Sequence, residues 1–191
     1  MVQTPSTMSP LGIKAPDFCL PEPLTGNQIA LSAFVGNPLL VVFSCNHCPY
    51  VLHILESFTG FANRISQNGM GVVMISANDI DGYPADSPQK MAELAQQYGF
   101  QFPYLYDESQ QVAQAYTAAC TPDFFLFDAN HELVYRGQYD ASRPGNNQTV
   151  DGKALQQAAE SVLNGAEIQT EQIPSVGCNI KWKSGNEPAY F

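Results

Sequence analysis

At residue 48 the chain changes the period of its hydrophobic pattern. The run NPLLVVFS, ending at Ser44, is short and continuously apolar, as expected of a strand buried on both faces. Beyond Cys48, Val51, Leu55, Phe58, Ala62 and Ile65 recur at helical spacing, and QNG at 67 to 69 supplies a stop. A buried strand that passes directly into an amphipathic helix needs helices on both faces of its sheet, which restricts the chain to a layered α/β architecture.

The alternation continues. MGVVMISA reads as a second buried strand, and DSPQKMAELAQQYG as a short helix with Ser87 as N-cap, Pro88 at the first helical position and Gly99 past the end. Met91, Leu94, Ala95 and Tyr98 mark its apolar face. FPYLY reads as a strand and SQQVAQAY as a helical turn or two. DFFLFD and ELVYRGQ face each other across ANH as an antiparallel pair, and VDGKALQQAAESVLNG closes with a helix near Gly165. Ahead of the first buried strand, QIALSAF follows the turn-like LTGN and predicts an N-terminal hairpin. The expected organisation is one domain over residues 1–165, with a tail over 166–191 that packs on it through Ile173, Val176, Ile180, Trp182, Tyr190 and Phe191. Those residues are too apolar for a disordered tail.

With 191 residues, 45% of them hydrophobic, the chain can bury a full core without disulfide staples. Its start lacks a basic segment followed by an apolar one, and no apolar run approaches the roughly 20 residues of a membrane span. The expectation is a soluble cytoplasmic protein with no membrane partner. A net charge of -10 would repel phosphate backbones, so nucleic acid is not an expected partner either. Oligomeric state is not legible. In a reducing compartment, cysteines at short spacing point to catalysis or metal binding rather than to structure.

Two of the five cysteines form Cys45-Asn46-His47-Cys48 at the junction of strand and helix. Unpaired N–H groups and the positive end of the helix dipole favour a thiolate there. Two intervening residues bring the second sulfur within disulfide reach. Cys45 is the expected nucleophile, more acidic and more exposed; Cys48 is the resolving thiol, and His47 adds a donor or a positive charge. Pro49 is tolerated in the first turn, which has no amide partner to lose.

FSCNHCPYV after a buried strand, CTPDFFLFD about seventy residues later and the hairpin after it resemble the redox disulfide, cis-proline loop and last strands of the thioredoxin superfamily. NDIDGYP, DSP, SRPGN and PSVGCNIKWKSGNEP resemble bacterial thioredoxin-like proteins of the redoxin and AhpC/TSA (peroxiredoxin-like) group. The resemblance implies a thioredoxin-like α/β fold, a central mixed β-sheet flanked by helices. It also implies a cis bond before Pro122, although such bonds are otherwise only about 5% cis, and a substrate-binding role for Thr121 and Pro122. The implied activity is thiol–disulfide oxidoreduction on protein or small-molecule disulfides and dithiols, with no cofactor beyond the redox cysteines and an external thiol reductant.

Two alternatives stand beside it. A peroxiredoxin-like peroxidase is suggested by Cys48-Pro49, but that family places threonine or serine three residues before the cysteine and proline four before that, where this chain has Cys45 and Val41. A metal carrier would use Cys45, Cys48 and either His47 or Cys178. Cys120 and Cys178 are candidates for an additional redox role; a small buried hydrophobe is the plainer account of Cys120, and tail packing an equal account of Cys178. Cys19 reads as structural, and His53 and His131 as surface residues. Arg136 and Arg143 read as exposed arginines, with anion or peroxide binding as the alternative.

Overall fold

A computed structural model describes residues 3–168 and 172–190. Its strands are β1 (Gln3–Pro5), β2 (Cys19–Pro21), β3 (Gln28–Ala30), β4 (Leu39–Phe43), β5 (Gly71–Ser76), β6 (Tyr104–Tyr106), β7 (Cys120–Thr121), β8 (Asp123–Phe127), β9 (Leu133–Tyr135) and β10 (Val176–Asn179). The helices are α1 (Pro49–Gln67), α2 (Pro88–Tyr98), α3 (Gln111–Ala115) and α4 (Lys153–Leu163). The central sheet has the order β6-β5-β4-β8-β9, with β4, β5 and β6 parallel and β8 and β9 antiparallel. This is the mixed, helix-flanked sheet of a thioredoxin-like fold, with β2 and β3 as the expected N-terminal hairpin.

Alternation along each central strand divides the core in two. Leu40, Val42, Val72, Met74, Phe124 and Leu126 face a cluster completed by Phe58, Phe61 and Ile65 of α1 and by Leu155 of α4. Leu39, Val41, Phe43, Val73, Ile75, Phe125 and Phe127 face the other side, where Tyr116, Phe18, Ile180 and Trp182 cover them. Both faces are thus buried, which explains the continuous apolar runs. Each fully buried phenylalanine contributes roughly 1.5–3 kcal/mol.

Helix α2 starts after Ser87 with Pro88 at its first position, but the Ser87 side chain makes no capping hydrogen bond. Gly99 ends it at φ 67°, a left-handed conformation that favours glycine. Of the five residues marking the α1 stripe, all are buried, joined by Ile54, Thr59 and Phe61. No helix among the described residues is long and apolar enough to cross a membrane.

The segment after α4 returns to the domain as a strand. β10 lies between β1 and β7, with Cys178 opposite Thr121 and Asn179 opposite Cys120. Ile180 and Trp182 are buried, whereas Ile173 is 62% exposed and takes no part in the packing expected of it. The Tyr190 hydroxyl donates to the Ala118 carbonyl at 3.2 Å. Phe191 lies outside the described residues.

β10 approaches the chain before Pro122 so closely that a side chain at Gly177 has no room. A Cβ there would stand 1.9 Å from the Thr121 carbonyl oxygen and 2.6 Å from its carbon. Both are backbone atoms, so no rotamer change relieves the clash. Gly177→Ala is expected to destabilise the protein by about 1–3 kcal/mol, as overpacking does, and to speed alkylation of Cys178 in the folded protein. Denaturant unfolding and timed iodoacetamide labelling check both; an unchanged variant would mean that β10 lies off Thr121.

Candidate active site

The site forms where β4 ends and α1 begins, against the chain between β7 and β8. Pro49 occupies the first turn of α1, Cys48 is the N-cap residue, and Cys45 lies in the short link from β4. The Thr121-Pro122 peptide bond is cis, as the resemblance implied. Thr121 touches both sulfurs of the pair: its hydroxyl is 3.5 Å from Cys45 Sγ, and its carbonyl accepts from Cys48 Sγ at 3.1 Å. Cys45, Cys48 and Cys178 belong to one buried cluster with Val51 and Leu55.

Cys45 was expected to be the exposed, acidic member of the pair. Neither sulfur-bearing residue is exposed, at 1% for Cys45 and 0% for Cys48. The order of acidity is also the reverse of the expectation. Cys48 is pulled down to about 5, chiefly because the Cys45 thiol donates to it; burial opposes this, while Cys178, Thr121 and the Val51 N–H add smaller favourable contributions. Cys45 is pushed well above the ordinary thiol range by donating that hydrogen bond, by burial and by the nearby Asp86 charge. As a thiol Cys48 donates to the Thr121 carbonyl; as a thiolate it accepts from its two neighbouring thiols instead. The physical reason is the hydrogen bond between the two thiols, with Asp86 opposing a charge on Cys45; the start of α1 adds only the small contribution of the Val51 N–H to Cys48.

Asp86 is the residue that sequence reasoning missed. It lies in a 3-10 turn, Pro84–Asp86, after β5, and is fully buried. Its carboxylate accepts from the Asn46 N–H at 2.7 Å and from Asn78 Nδ2 at 2.8 Å, and pairs with His47 Nδ1 at 2.7 Å. His47 is therefore turned toward Asp86. Its ring stacks on Tyr83 with centroids 5.4 Å apart, and Lys181 Nζ lies 5.6 Å from the centre of the same Tyr83 ring. The advance signal did not single it out: NDIDGYPADSP, a Pro- and Gly-containing loop following a buried strand, holds three aspartates, Asp79, Asp81 and Asp86. Cys45 Sγ, a ring nitrogen of His47 and an Asp86 oxygen lie within 4.8 Å of one another, a trio whose donor types would suit zinc. That set differs from the one expected of a metal carrier: Cys45 and His47 are in it, but Asp86 stands where Cys48 was expected.

The other candidates separate clearly. Cys120 is fully buried and its Sγ lies 3.6 Å from the Pro122 carbonyl; burial, and next the Asp123 charge, push its thiol well up. This fits a small core residue. Cys19 is exposed on β2, so it has no core to fill. His53 is half-buried on α1, and His131 is half-buried with Nε2 3.2 Å from the Phe34 carbonyl. Arg136 is not an exposed arginine: it is fully buried, paired with Asp123 at 3.2 Å, bonded to Ser6 and Thr7, and stacked 3.6 Å from the Phe125 ring centre. Arg143 is tied to the Asp140 and Ser142 carbonyls and to Gln138. Neither arginine reaches the sulfurs through a hydrogen bond.

The pattern of the AhpC/TSA family matches residues 11–136, about two thirds of the chain. The chain belongs to the AhpC/TSA family. Among curated relatives, this AhpC/TSA protein is 29% identical over 133 residues to the thiol-disulfide oxidoreductase ResA of Geobacillus kaustophilus (strain HTA426), covering 68% of this chain and 70% of that one. Among solved structures it resembles an uncharacterized conserved protein from Geobacillus kaustophilus at TM-score 0.93 and 44% identity, over 96% of this chain and 97% of the other. A thiol:disulfide interchange protein DsbE from Chlorobium tepidum shares the fold at TM-score 0.62 and 22% identity, over 81% of this chain and 98% of its own.

Proposed function

We propose that the protein is a thiol–disulfide oxidoreductase whose redox pair is Cys45 and Cys48. The observation that carries this is the meeting of both sulfurs on Thr121, beside the cis Pro122, with Cys48 held as the sulfur that ionises. A thiolate on Cys48 attacks a substrate disulfide, and displacement of the substrate sulfur by protein thiol ends in the Cys45–Cys48 disulfide. This reverses the order of roles expected from the cysteine spacing. Thr121 positions both sulfurs. Asp86 fixes Asn46 and His47 and, by its charge, keeps Cys45 protonated until Cys48 has reacted.

The relationship to a thiol-disulfide oxidoreductase supports disulfides and dithiols as the substrate class. Small-molecule disulfides suit the site better than polypeptides, because β10 already pairs with the backbone at Thr121. The redox chemistry resides in the cysteines, with an external thiol reductant to regenerate them. A cytoplasmic setting belongs to the same proposal, supported by the grouping of cysteines at short spacing.

A second reading, peroxidase activity, is favoured by one observation: the raised acidity of Cys48 at the start of α1, directly before Pro49. Rapid mixing of reduced protein with hydrogen peroxide and, separately, with hydroxyethyl disulfide distinguishes the two. Faster consumption of the disulfide is expected; consumption of peroxide alone would overturn the oxidoreductase.

The pH dependence follows from the same thiolate. Lowering the Cys48 value to about 5 means that its anion fraction rises as pH rises through that value and is nearly complete at pH 7. Iodoacetamide labelling of Cys48 should therefore climb between about pH 4 and pH 6 and then level off. Labelling that climbs only near pH 9 would show that Cys48 is an ordinary thiol.

A further inference from the structure

The tail brings a third sulfur to the pair. β10 is held against β7 in a fixed register that sets Cys178 directly opposite Thr121, the residue whose carbonyl is 3.1 Å from Cys48 Sγ. Opposed residues in an antiparallel pair have Cβ atoms only about 4.5–5.5 Å apart. Gly177 allows the close approach, since any Cβ at that position would strike the Thr121 carbonyl. Cys178 is 2% exposed and shares the buried cluster of Cys45 and Cys48. Its thiol donates to the Cys48 thiolate, as does the thiol of Cys45, so Cys48 has two thiol donors within its buried cluster.

From this arrangement we propose that Cys178 is a third exchanging thiol, and that Cys48 is the shared sulfur of two alternative intrachain disulfides, Cys45–Cys48 and Cys48–Cys178. The proposal rests on the oxidoreductase reading and adds a residue to its site. β10 occupies the edge beside Thr121, so it supplies from within the chain a sulfur in the position where a substrate strand would bring its own.

The steps balance as follows. The Cys48 thiolate attacks a small disulfide RSSR; a Cys48–SR bond forms, the RS–SR bond breaks, and one RS⁻ leaves and takes up a proton. Cys178, losing its proton to the departing thiolate, attacks Cys48 Sγ; the Cys48–Cys178 bond forms and the second RSH leaves. Two protein thiols have been oxidised and one substrate disulfide reduced to two thiols. Cys45 then attacks Cys48 Sγ, the Cys45–Cys48 bond forms, and Cys178 departs and regains a proton. This last exchange moves no net electrons. Burial and the hydrogen bond to Cys48 hold the Cys178 thiol at about 12 in the reduced protein. Once Cys48 carries a disulfide it is no longer an anion, and its contribution to that rise is gone.

The test uses the full chain with Cys45→Ser, reduced and then treated with hydroxyethyl disulfide, followed by alkylation and peptide mapping. A Cys48–Cys178 disulfide with loss of the mercaptoethanol adduct is expected. With Cys178→Ala added, the adduct on Cys48 should persist. A lasting adduct in the Cys45→Ser protein, with Cys178 alkylated, would overturn the proposal, provided circular dichroism shows the fold of the wild type. If the substitution perturbs the fold, the wild type serves instead: partial oxidation quenched early should yield Cys48–Cys178 ahead of Cys45–Cys48, and its absence at every time would overturn the proposal. A wild-type protein that forms neither adduct nor Cys45–Cys48 disulfide would refute the oxidoreductase reading itself.

Discussion

Cys48→Ser is expected to reduce disulfide turnover by about three orders of magnitude or more, the scale on which loss of a covalent nucleophile is felt. Cys48 is the sulfur that accepts from both neighbouring thiols, and its charge is the stabilised one. Cys45 and Cys178 both remain protonated near neutral pH, Cys178 at about 12 and Cys45 pushed well above its ordinary value. Neither replaces it as an attacking thiolate. Steady-state reduction of hydroxyethyl disulfide by a dithiol-recycled protein checks this. Cys45→Ser should instead retain the first half-reaction and turn over more slowly, through the Cys48–Cys178 disulfide. Near-normal activity in Cys48→Ser, with none in Cys45→Ser, would return the nucleophile to Cys45.

Arg136→Leu is expected to have the largest effect on stability, about 3–5 kcal/mol, which is the cost of leaving a buried charge without its partner. That is a large fraction of the roughly 5–15 kcal/mol that holds a domain folded. Arg136 and Asp123 are both fully buried. Burial raises the Asp123 carboxyl and lowers the Arg136 guanidinium, in each case ahead of the opposing attraction between them. The pair is thus tolerated only because it is complete, with Asp123 Oδ2 also accepting the Ala119 N–H and Arg136 bonded to Ser6 and Thr7. Asp123 directly follows Pro122, so the pair fastens the loop that carries Thr121. Equilibrium denaturation measures the loss. Arg136→Met combined with Asp123→Leu should recover much of it, and a double variant no more stable than Arg136→Leu would show that the hydrogen bonds to Ser6 and Thr7 carry the effect.

The elements that sequence patterning located well are those whose information is local. NPLLVVFS became β4, the stripe from Val51 to Ile65 became the buried face of α1, and Pro88 and Gly99 bracket α2. Each depends on residues a few positions apart, and the period of hydrophobic residues reports directly on whether one face or two are buried. Ser87 marks the limit of such signals: it holds the N-cap position, yet its side chain does not cap. The spacing of Cys45 and Cys48 is local in the same sense, and so is the placement of Thr121-Pro122 immediately before DFFLFD.

Which cysteine ionises was not legible in that spacing. The macrodipole argument assigned the thiolate to Cys45 because it follows the strand, whereas α1 begins only at Pro49, and Asp86 arrives from another loop to oppose a charge on Cys45. Arg136 likewise read as an exposed arginine, whereas packing places Asp123 and Phe125 around it. The order of residues along the chain determined a layered α/β domain with a dithiol at a strand–helix junction, because hydrophobic period and short spacing are properties of neighbouring residues. Only the tertiary structure decided that Asp86 meets His47 and that β10 delivers Cys178 to Cys48. Those contacts join segments far apart in the chain, and nothing in a local pattern specifies the register in which β10 pairs with β7.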